Sequence, residues 1–478
     1  MACQLEIKLL TEIQKKTIRE KLYLQPKKDY SMTKMFGHVE TNPILFYWTE
    51  KIHITENKEV DKVEQTENKE VDKTVENKTE NNKYIHLPYT FANTLVNQHI
   101  NSALNFPASE FKFTGTLRDN QIIPVNTAWD QLNTYGTTTL KFCTGGGKSI
   151  CSVFLSCELT KTCGGIILIV VNRETIQEGW RKTIIENSDA KLWIVDSKMK
   201  IPESCNIILT MDGKMSKIPL EIRKLVSVFV IDEAHLFCTK GNAGPNTLLS
   251  VWPKYVIACT ATLERADGME SMILNIAGTH FSEMKLEKHF TVYKLNTEIT
   301  TELVKNKMGT TDFGKLMQAL AENPLRNALI IEVIELFPQN KIMLLSWKRS
   351  HVDLLYEILK KRGHSVDYLA GTKSKYKDSR ILLGTISKIS TGFDAQNVAS
   401  EWDGMAIDTC ILAGSTKSKN LHIQSIGRAF RSDTPTIIDL SDSDRITKSH
   451  WSARKKIYKS LNSTIIDTDI KKLHLVFS

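Results

Sequence analysis

A short glycine-rich segment carries residue types that bind phosphate. It is Thr144-Gly145-Gly146-Gly147-Lys148-Ser149, and it follows a β-prone stretch at residues 137–141. Glycines let the backbone curl so that its N–H groups point at an anion, and a following helix adds the positive end of its dipole. Lys148 would reach the β- and γ-phosphates of a nucleotide, and the Ser149 hydroxyl would bind Mg²⁺. Phe142 replaces the small residue of the strict pattern, and the segment alone could be a flexible glycine turn.

A pair of carboxylates ends a later apolar stretch, residues 226–231. The pair opens the motif Asp232-Glu233-Ala234-His235. Carboxylates at the carboxyl end of a parallel strand lie where such sheets bind ligands. Asp232 can hold Mg²⁺, and Glu233 can orient and deprotonate an attacking water. Acidic pairs are also common on protein surfaces, but here a buried-type strand precedes the pair.

Three further polar residues are expected near these motifs. Thr260-Ala261-Thr262 follows the next apolar stretch, and we expect His235 to hydrogen-bond to it. Gln121 precedes the glycine segment by some twenty residues. A glutamine amide there can read the edge of an adenine with one donor and one acceptor, although a surface amide is the alternative.

Two motifs occupy the second half of the chain. One runs from Gly384 to Asp394 and includes Gly392, and the other runs from Gln424 to Arg431 in a helix predicted over residues 421–430. Arg428 and Arg431 are three residues apart, so they would share one helix face. Two guanidinium groups on one face could clamp a γ-phosphate, or they could belong to a solvated basic surface.

Strand and helix patterns alternate through both halves. Stretches that are apolar on both faces, such as residues 166–171 and 226–231, are typical of parallel sheets covered by helices. The fold class is therefore α/β. We predict an N-terminal region with a helix over residues 5–22 (1–53), a low-complexity insert (54–83), a small accessory module (84–114), a first nucleotide-binding domain (115–278), a connector (279–320), a second domain (321–445) and a basic tail (446–478).

The composition indicates a soluble protein of a reducing compartment. The 478 residues carry a net charge of +9, which permits a polyanionic partner without requiring one. Nine cysteines include no C-x-x-C pair, and we expect them to be reduced thiols. No apolar run is long enough to cross a bilayer. The insert repeats one charged octapeptide and contains almost no apolar residue, so it is predicted to be disordered.

The ordered set of motifs resembles the superfamily 2 helicases of the DEAH-box type, from Gln121 through to Arg431. The segment that follows Thr262 is similar to that of XPB-like helicases, which usually have Arg-Glu-Asp where this chain has Arg265-Ala266-Asp267. Leu87-Pro88 and residues 115–121 resemble the XPB-related helicases of large DNA viruses, of the iridovirus and poxvirus kind.

The resemblance implies two tandem RecA-like domains with a small N-terminal accessory region, and ATP and Mg²⁺ as cofactors. It implies that Arg428 and Arg431 act as arginine fingers, that Gly392 and Asp394 help to bind the nucleotide, and that Gln424, His235, Thr260 and Thr262 couple ATP hydrolysis to grip on nucleic acid. Four residues that follow strand ends are candidates for contact with bound nucleic acid, along a path called here the nucleic-acid track: Arg173, Thr210, Trp347 and Lys348.

The expected activity is that of an ATP-dependent DNA helicase or translocase, in viral transcription or DNA metabolism. DNA is favoured over RNA as the partner, and the transcription machinery is a further expected partner. We expect an intracellular monomer without membrane association, in the host cytoplasm or nucleus and the virion if the protein is viral. An RNA helicase, a nucleic-acid-binding scaffold with an inactive ATP site and a small-molecule P-loop kinase are the alternatives.

Overall fold

The computed structural model describes residues 2–24, 44–51, 82–196, 202–238, 248–261, 263, 267–285, 288–307, 309, 311–390, 393 and 395–477. Almost all of the low-complexity insert lies outside these residues, as do Thr262, Gly392 and Asp394. The chain divides into two compact units, one of Met1–Phe142 and Gly147–Met284 and the other of Cys143–Gly146 and Lys285–Ser478.

A small antiparallel sheet forms the N-terminal part of the first unit. Strand β1 (Ala2–Glu6) pairs with β5 (Asn82–Pro88), which also pairs with β4 (Trp48–Lys51), while β2 (Tyr23–Leu24) and β3 (Ile44–Leu45) pair separately. Helix α1 spans Glu12–Lys21, so the helix predicted from residue 5 begins later than expected. Thr11 sets its start, because its hydroxyl accepts from the Gln14 backbone N–H and the Gln14 side chain accepts from the Thr11 N–H. Helix α2 (Tyr89–Val96) follows β5.

The main sheet of the first unit has seven parallel strands. They are β6 (Thr137–Phe142), β7 (Ile166–Val171), β8 (Leu192–Ile194), β9 (Ile207–Met211), β10 (Val226–Ile231), β11 (Tyr255–Thr260) and β12 (Ser282–Met284). Their order is β12-β6-β11-β10-β7-β9-β8. The accompanying helices are α3 (Asp119–Tyr135), α4 (Lys148–Cys163), α5 (Glu174–Asn187), α6 (Leu220–Lys224) and α7 (Ser271–Ala277). Every residue of β10 is buried, as expected of a central strand covered on both faces.

A second parallel sheet of seven strands forms the other unit. Its strands are β13 (Thr291–Asn296), β14 (Ile342–Ser346), β15 (Val366–Leu369), β17 (Ile381–Thr385), β19 (Thr409–Leu412), β20 (Thr436–Ser441) and β21 (Thr464–Thr468), and β16 (Tyr376–Lys377) pairs separately with β18 (Ala399–Ser400). The order is β15-β17-β14-β19-β20-β13-β21. The edge strand β21 and its neighbour β13 come from the spans predicted as tail and connector.

Helices flank this second sheet. They are α8 (Phe313–Glu322), α9 (Pro324–Glu335), α10 (Arg349–Lys361), α11 (Ile386–Ile389), α12 (Ala395–Val398), α13 (Lys419–Ile426), α14 (Arg445–Ser460) and α15 (Ile470–Phe477). Each unit is thus a parallel sheet flanked by helices, which confirms the predicted fold class of two RecA-like domains. None of the described helices combines the length and the apolar character that a membrane span requires.

A buried ion pair fastens helix α14 to the second sheet. The guanidinium of Arg454 donates from Nε and Nη2 to the two carboxylate oxygens of Asp439 in β20, at 2.8 and 2.7 Å. The Tyr458 hydroxyl donates to the same carboxylate at 2.8 Å. All three side chains are at most 1% exposed. This bidentate geometry satisfies charges that would otherwise be costly to bury.

Replacing Arg454 with alanine should therefore destabilise the second unit by about 3–5 kcal/mol, because it leaves the Asp439 carboxylate buried without its counter-charge. Urea unfolding followed by circular dichroism measures this loss. Arg445→Ala on the exposed face of the same helix is the control, and it should change the unfolding midpoint little. Equal effects of the two substitutions would contradict the anchoring role of Arg454.

Candidate nucleotide-binding site

The glycine segment forms a turn between strand β6 and helix α4. Gly145 and Gly147 have φ angles of 80° and 83°, a region that residues with a side chain rarely adopt. The Gly146 N–H donates to the Cys143 carbonyl at 3.0 Å, which closes the turn. A Cβ atom on Gly147 would lie 2.1 Å from Nε2 of Gln121. Both the backbone angle and the close neighbour therefore require glycine at position 147.

Gln121 lies against this turn from the first turn of helix α3. It is 1% exposed, and its Oε1 accepts from the Arg118 backbone N–H at 2.8 Å. The sequence predicted that Gln121 serves the nucleotide site, and the structure places it beside Gly147. Its recognition of adenine stays a prediction.

Lys148 and Ser149 are the first two residues of helix α4. The Lys148 ammonium donates to the Phe142 carbonyl at 3.3 Å, so the side chain folds back over the turn. A helix N-terminus leaves its first backbone N–H groups without intrahelical partners, so this position places a cation beside donors suited to an anion. The pairing with Phe142 leaves donor capacity on the ammonium, because a lysine carries three N–H donors.

Asp232 follows strand β10, and its carboxylate is buried. Strands β6, β11 and β10 are adjacent and parallel, so the residues after them share one edge of the sheet. Burial and then the Glu233 charge raise the pKa of Asp232, and these effects outweigh the Trp180 hydrogen bond and the Lys148 charge, which lower it. A bound cation would stabilise the ionised carboxylate that this environment disfavours.

Glu233 has a left-handed backbone, with φ 46° and ψ 50°. Its Oε2 atom is buried, and within the described part of the chain it has no hydrogen-bond partner. Nδ1 of His235 lies 3.5 Å from this oxygen. That nitrogen also hydrogen-bonds to the Thr260 hydroxyl at 3.0 Å, which is the contact that the sequence predicted for His235. An unsatisfied buried carboxylate oxygen is suited to accept a proton from a water molecule.

These residues fit a magnesium nucleotide. The turn offers glycines with left-handed φ angles, as in loops that bind anions, and Lys148 offers a cation beside it. Asp232 offers a carboxylate whose charge is destabilised by burial, and Glu233 offers an oxygen without a hydrogen-bond partner among the described residues. Ser149 and Asp232 are the residues that would hold Mg²⁺, and residues 144–149 would hold the phosphates.

Trp180 on helix α5 is a site residue that the sequence analysis missed. Its indole Nε1 donates to Oδ2 of Asp232 at 2.7 Å, and the side chain is 1% exposed. The other oxygen, Oδ1, accepts from the Glu233 backbone N–H at 3.0 Å. The two donors fix the carboxylate plane. The available signal was a tryptophan on the apolar face of a helix, since a buried indole N–H usually finds a partner.

Trp180→Phe should lower ATPase activity about 10- to 100-fold and raise the Mg²⁺ concentration needed for half-maximal rate, because the Asp232 carboxylate loses the donor that orients it. Trp193→Phe is a matched control. Trp193 is also buried in the first unit, but among the described residues its Nε1 has no partner. Magnesium titrations of both variants measure the effect, and an equal response of the two would rule out orientation by Trp180.

The motif from Gln424 to Arg431 lies partly on helix α13 of the second unit. The helix ends at Ile426, and a 3₁₀ turn covers Ala429–Arg431, so the predicted helix over residues 421–430 is wrong at its carboxyl end. Arg428 donates from Nη2 to the Ser390 carbonyl at 2.9 Å, and Arg431 is exposed. Gln424 is buried within α13. The roles of these residues as arginine fingers and coupling residues stay predictions.

The candidates for the nucleic-acid track have different environments. Arg173 is exposed before helix α5, and Lys348 is half-buried before helix α10. Trp347 donates from Nε1 to the Ser415 carbonyl at 2.6 Å. Thr210 does not follow a strand end as expected, because it lies within β9 and is fully buried. Central strands of a covered sheet bury every side chain, so Thr210 is badly placed for contact with nucleic acid.

Comparisons with known proteins agree with this fold. Residues 114–265 match the family described as "Type III restriction enzyme, res subunit". The chain is 28% identical over 409 residues to "Putative helicase 161L" of Invertebrate iridescent virus 6, which covers 79% of this chain and 88% of that protein. It is 25% identical over 410 residues to "Putative ATP-dependent RNA helicase L396" of Acanthamoeba polyphaga mimivirus, with 79% and 75% covered.

The solved structure of S. cerevisiae Dbp5 bound to RNA and ADP BeF3 aligns with 76% of this chain and 98% of its own, at 15% identity and a TM-score of 0.48. This chain consists of two RecA-like domains, matches the type III restriction enzyme res subunit family at residues 114–265, and is similar over most of its length to viral proteins named as helicases.

Proposed function

We propose that this protein is an ATP-dependent DNA helicase or translocase of the XPB-like, DEAH-box type. The proposal is supported by the groups that meet at the carboxyl edge of the first sheet. The carboxyl edge of the first sheet brings a glycine turn, the Lys148 cation and the buried Asp232–Glu233 pair together, and the Lys148 charge acts on the pKa of Asp232. This set of groups suits hydrolysis of a nucleoside triphosphate.

Each residue has a distinct part in that reaction. Lys148 and the backbone N–H groups of the turn neutralise phosphate oxygens as charge develops on them. Glu233 orients the attacking water and takes its proton. When bound, Mg²⁺ would supply charge neutralisation of the β- and γ-phosphates. Arg428 and Arg431 would neutralise the remaining charge from the second unit, so hydrolysis would require both units and would respond to nucleic acid bound to them.

RNA is the second candidate substrate. The mimivirus relative is named as an RNA helicase, and the motif Asp232-Glu233-Ala234-His235 is also found in RNA-directed families. Phosphate contacts dominate non-specific binding to either polymer, so the sites described above do not separate them.

Stimulation of ATPase activity tests both proposals. The full chain is assayed with single-stranded DNA, duplex DNA and RNA of matched sequence and equal nucleotide concentration. We expect DNA to stimulate turnover more than RNA does. Stimulation by RNA alone would establish the RNA helicase instead. Absence of turnover under every condition would leave the nucleic-acid-binding scaffold with an inactive site.

The other expectations belong to the same proposal. They are a monomeric state, an intracellular location and the viral transcription machinery as a partner. A small-molecule kinase is disfavoured, because it does not account for the second parallel sheet.

A further inference from the structure

Helix α14 is strongly basic and has no acidic residue. Its sequence, RITKSHWSARKKIYKS, contains six lysine and arginine residues and neither aspartate nor glutamate. Arg454 is buried against Asp439, as described above. The remaining five are exposed and are called here the α14 basic face: Arg445, Lys448, Lys455, Lys456 and Lys459. None of the motifs assigned to ATP hydrolysis lies on this helix.

The five cations lie on one side of the helix. At 3.6 residues per turn their positions fall within an arc of about 100°, and from first to last they extend about 21 Å along the axis. The opposite side packs on the sheet through six buried residues: Thr447, His450, Trp451, Arg454, Ile457 and Tyr458. The Arg454–Asp439 pair holds that side in place, so the basic face has a fixed orientation.

Protein carboxylates do not neutralise this face. Within the described part of the chain, none of the five cations forms an ion pair. Asp467 lies near Lys455, but it is itself paired with Lys294 at 2.8 Å. An open groove of about 360 Å³ adjoins the face, and Lys417, Lys419 and Lys456 line it together with Ser449 and Ser452. The five cations of the α14 basic face have like charge and no ion-pair partner among the described residues, and such a group attracts an extended anion.

We propose that the α14 basic face binds the phosphate backbone of a nucleic acid. The inference rests on the proposed function and adds a contact surface outside the helicase motifs. A membrane surface fits less well, because an interfacial helix needs a free apolar face and the apolar face of α14 is buried. An acidic protein fits less well, because the face offers lysine, arginine and serine without an aromatic anchor.

Salt-dependent binding tests this proposal. The triple variant Lys448→Gln, Lys455→Gln, Lys459→Gln removes three cations and keeps residues that favour helix. Fluorescence anisotropy with labelled single-stranded DNA or RNA is measured between about 0.05 and 0.3 M salt, over which the Debye length falls from about 14 Å to about 6 Å. Loss of three phosphate contacts should weaken binding about 100-fold at 0.1 M salt and make the slope of log K against log salt shallower by about 2.

A second variant with the same loss of charge distinguishes the effect of a local phosphate contact from the effect of a lower net charge. Lys315→Gln, Lys360→Gln, Lys361→Gln removes three exposed cations elsewhere in the same unit. We expect it to bind nearly as the wild type does, and both variants should keep the ATPase rate measured without nucleic acid. Weaker binding of the α14 variant to DNA, to RNA or to both supports the inference, and a loss with one polymer alone identifies that polymer as the ligand of this face.

Equal loss in both triple variants, or an unchanged salt slope in the α14 variant, would overturn the inference. Binding of the wild type to phosphatidylserine vesicles that is lost in the α14 variant, without any change in nucleic-acid binding, would also overturn it. If the wild type bound no nucleic acid at all, the proposed function itself would fail, and that result is distinct from the others.

Discussion

Replacing Lys148 with alanine should lower the nucleic-acid-stimulated ATPase rate about 1,000-fold. Lys148 is the first residue of helix α4, and its ammonium lies over the glycine turn, 3.3 Å from the Phe142 carbonyl. Charge develops on phosphate oxygens as the terminal phosphoryl group is transferred, and a cation held beside them stabilises that charge more than it stabilises the bound substrate. The loss should therefore appear mainly in kcat.

Single-turnover hydrolysis, with the enzyme in excess over labelled ATP, measures the chemical step apart from product release. Lys161→Ala is the matched control, because Lys161 lies on the same helix and pairs with Glu158 on the exposed side. It should retain the wild-type rate. A Lys148→Ala variant that hydrolysed ATP within threefold of the wild type would show that the glycine turn is not the phosphate site.

The sheets could be predicted because their central strands are apolar on both faces. Strands β7 and β10 have the predicted bounds, residues 166–171 and 226–231. In a covered parallel sheet no solvent face interrupts the apolar run, so its ends are visible in the sequence. The glycine turn and the acidic pair then follow from their positions after β6 and β10.

The errors arise where contacts join distant parts of the chain. Residues Ala2–Glu6 form a strand because β5, some 80 residues later, supplies its hydrogen-bond partners. Neither local propensity nor apolar period contains that information. Strands β13 and β21 were also not predicted, because each depends on a partner that is distant in sequence. They pair with each other at one edge of the second sheet.

Trp180 shows most clearly why a sequence pattern alone does not identify a site residue. The helical period of Ile176, Trp180 and Ile184 correctly predicts a buried face, but it does not reveal that the indole donates to a carboxylate 52 residues away. Thr210 shows the reverse case, because its type suits a phosphate contact while its place inside β9 buries it. The identity of a site residue follows from its type only after the topology has placed it.

Replacing Glu233 with glutamine should lower the ATPase rate about 1,000-fold and leave ATP affinity within about threefold of the wild type. The amide keeps the size of the side chain but cannot take a proton from water. The Glu233 Oε2 atom is buried and, among the described residues, lacks a hydrogen-bond partner, so it is the acceptor available to that water. Fluorescent-nucleotide binding and single-turnover hydrolysis together separate affinity from chemistry.

Glu270→Gln provides the control for Glu233, because Glu270 also has a buried carboxylate oxygen without a hydrogen-bond partner in the described part of the first unit. If a buried carboxylate oxygen without a hydrogen-bond partner affected only protein stability, the two variants would have the same ATPase rate. We expect Glu270→Gln to hydrolyse ATP normally, and Glu233→Gln to hold ATP and remain bound to nucleic acid. A Glu233→Gln variant with a rate within tenfold of the wild type would assign the proton to another acceptor. Because Asp232 lies beside Glu233 and has a raised pKa, it would then be the next residue to replace.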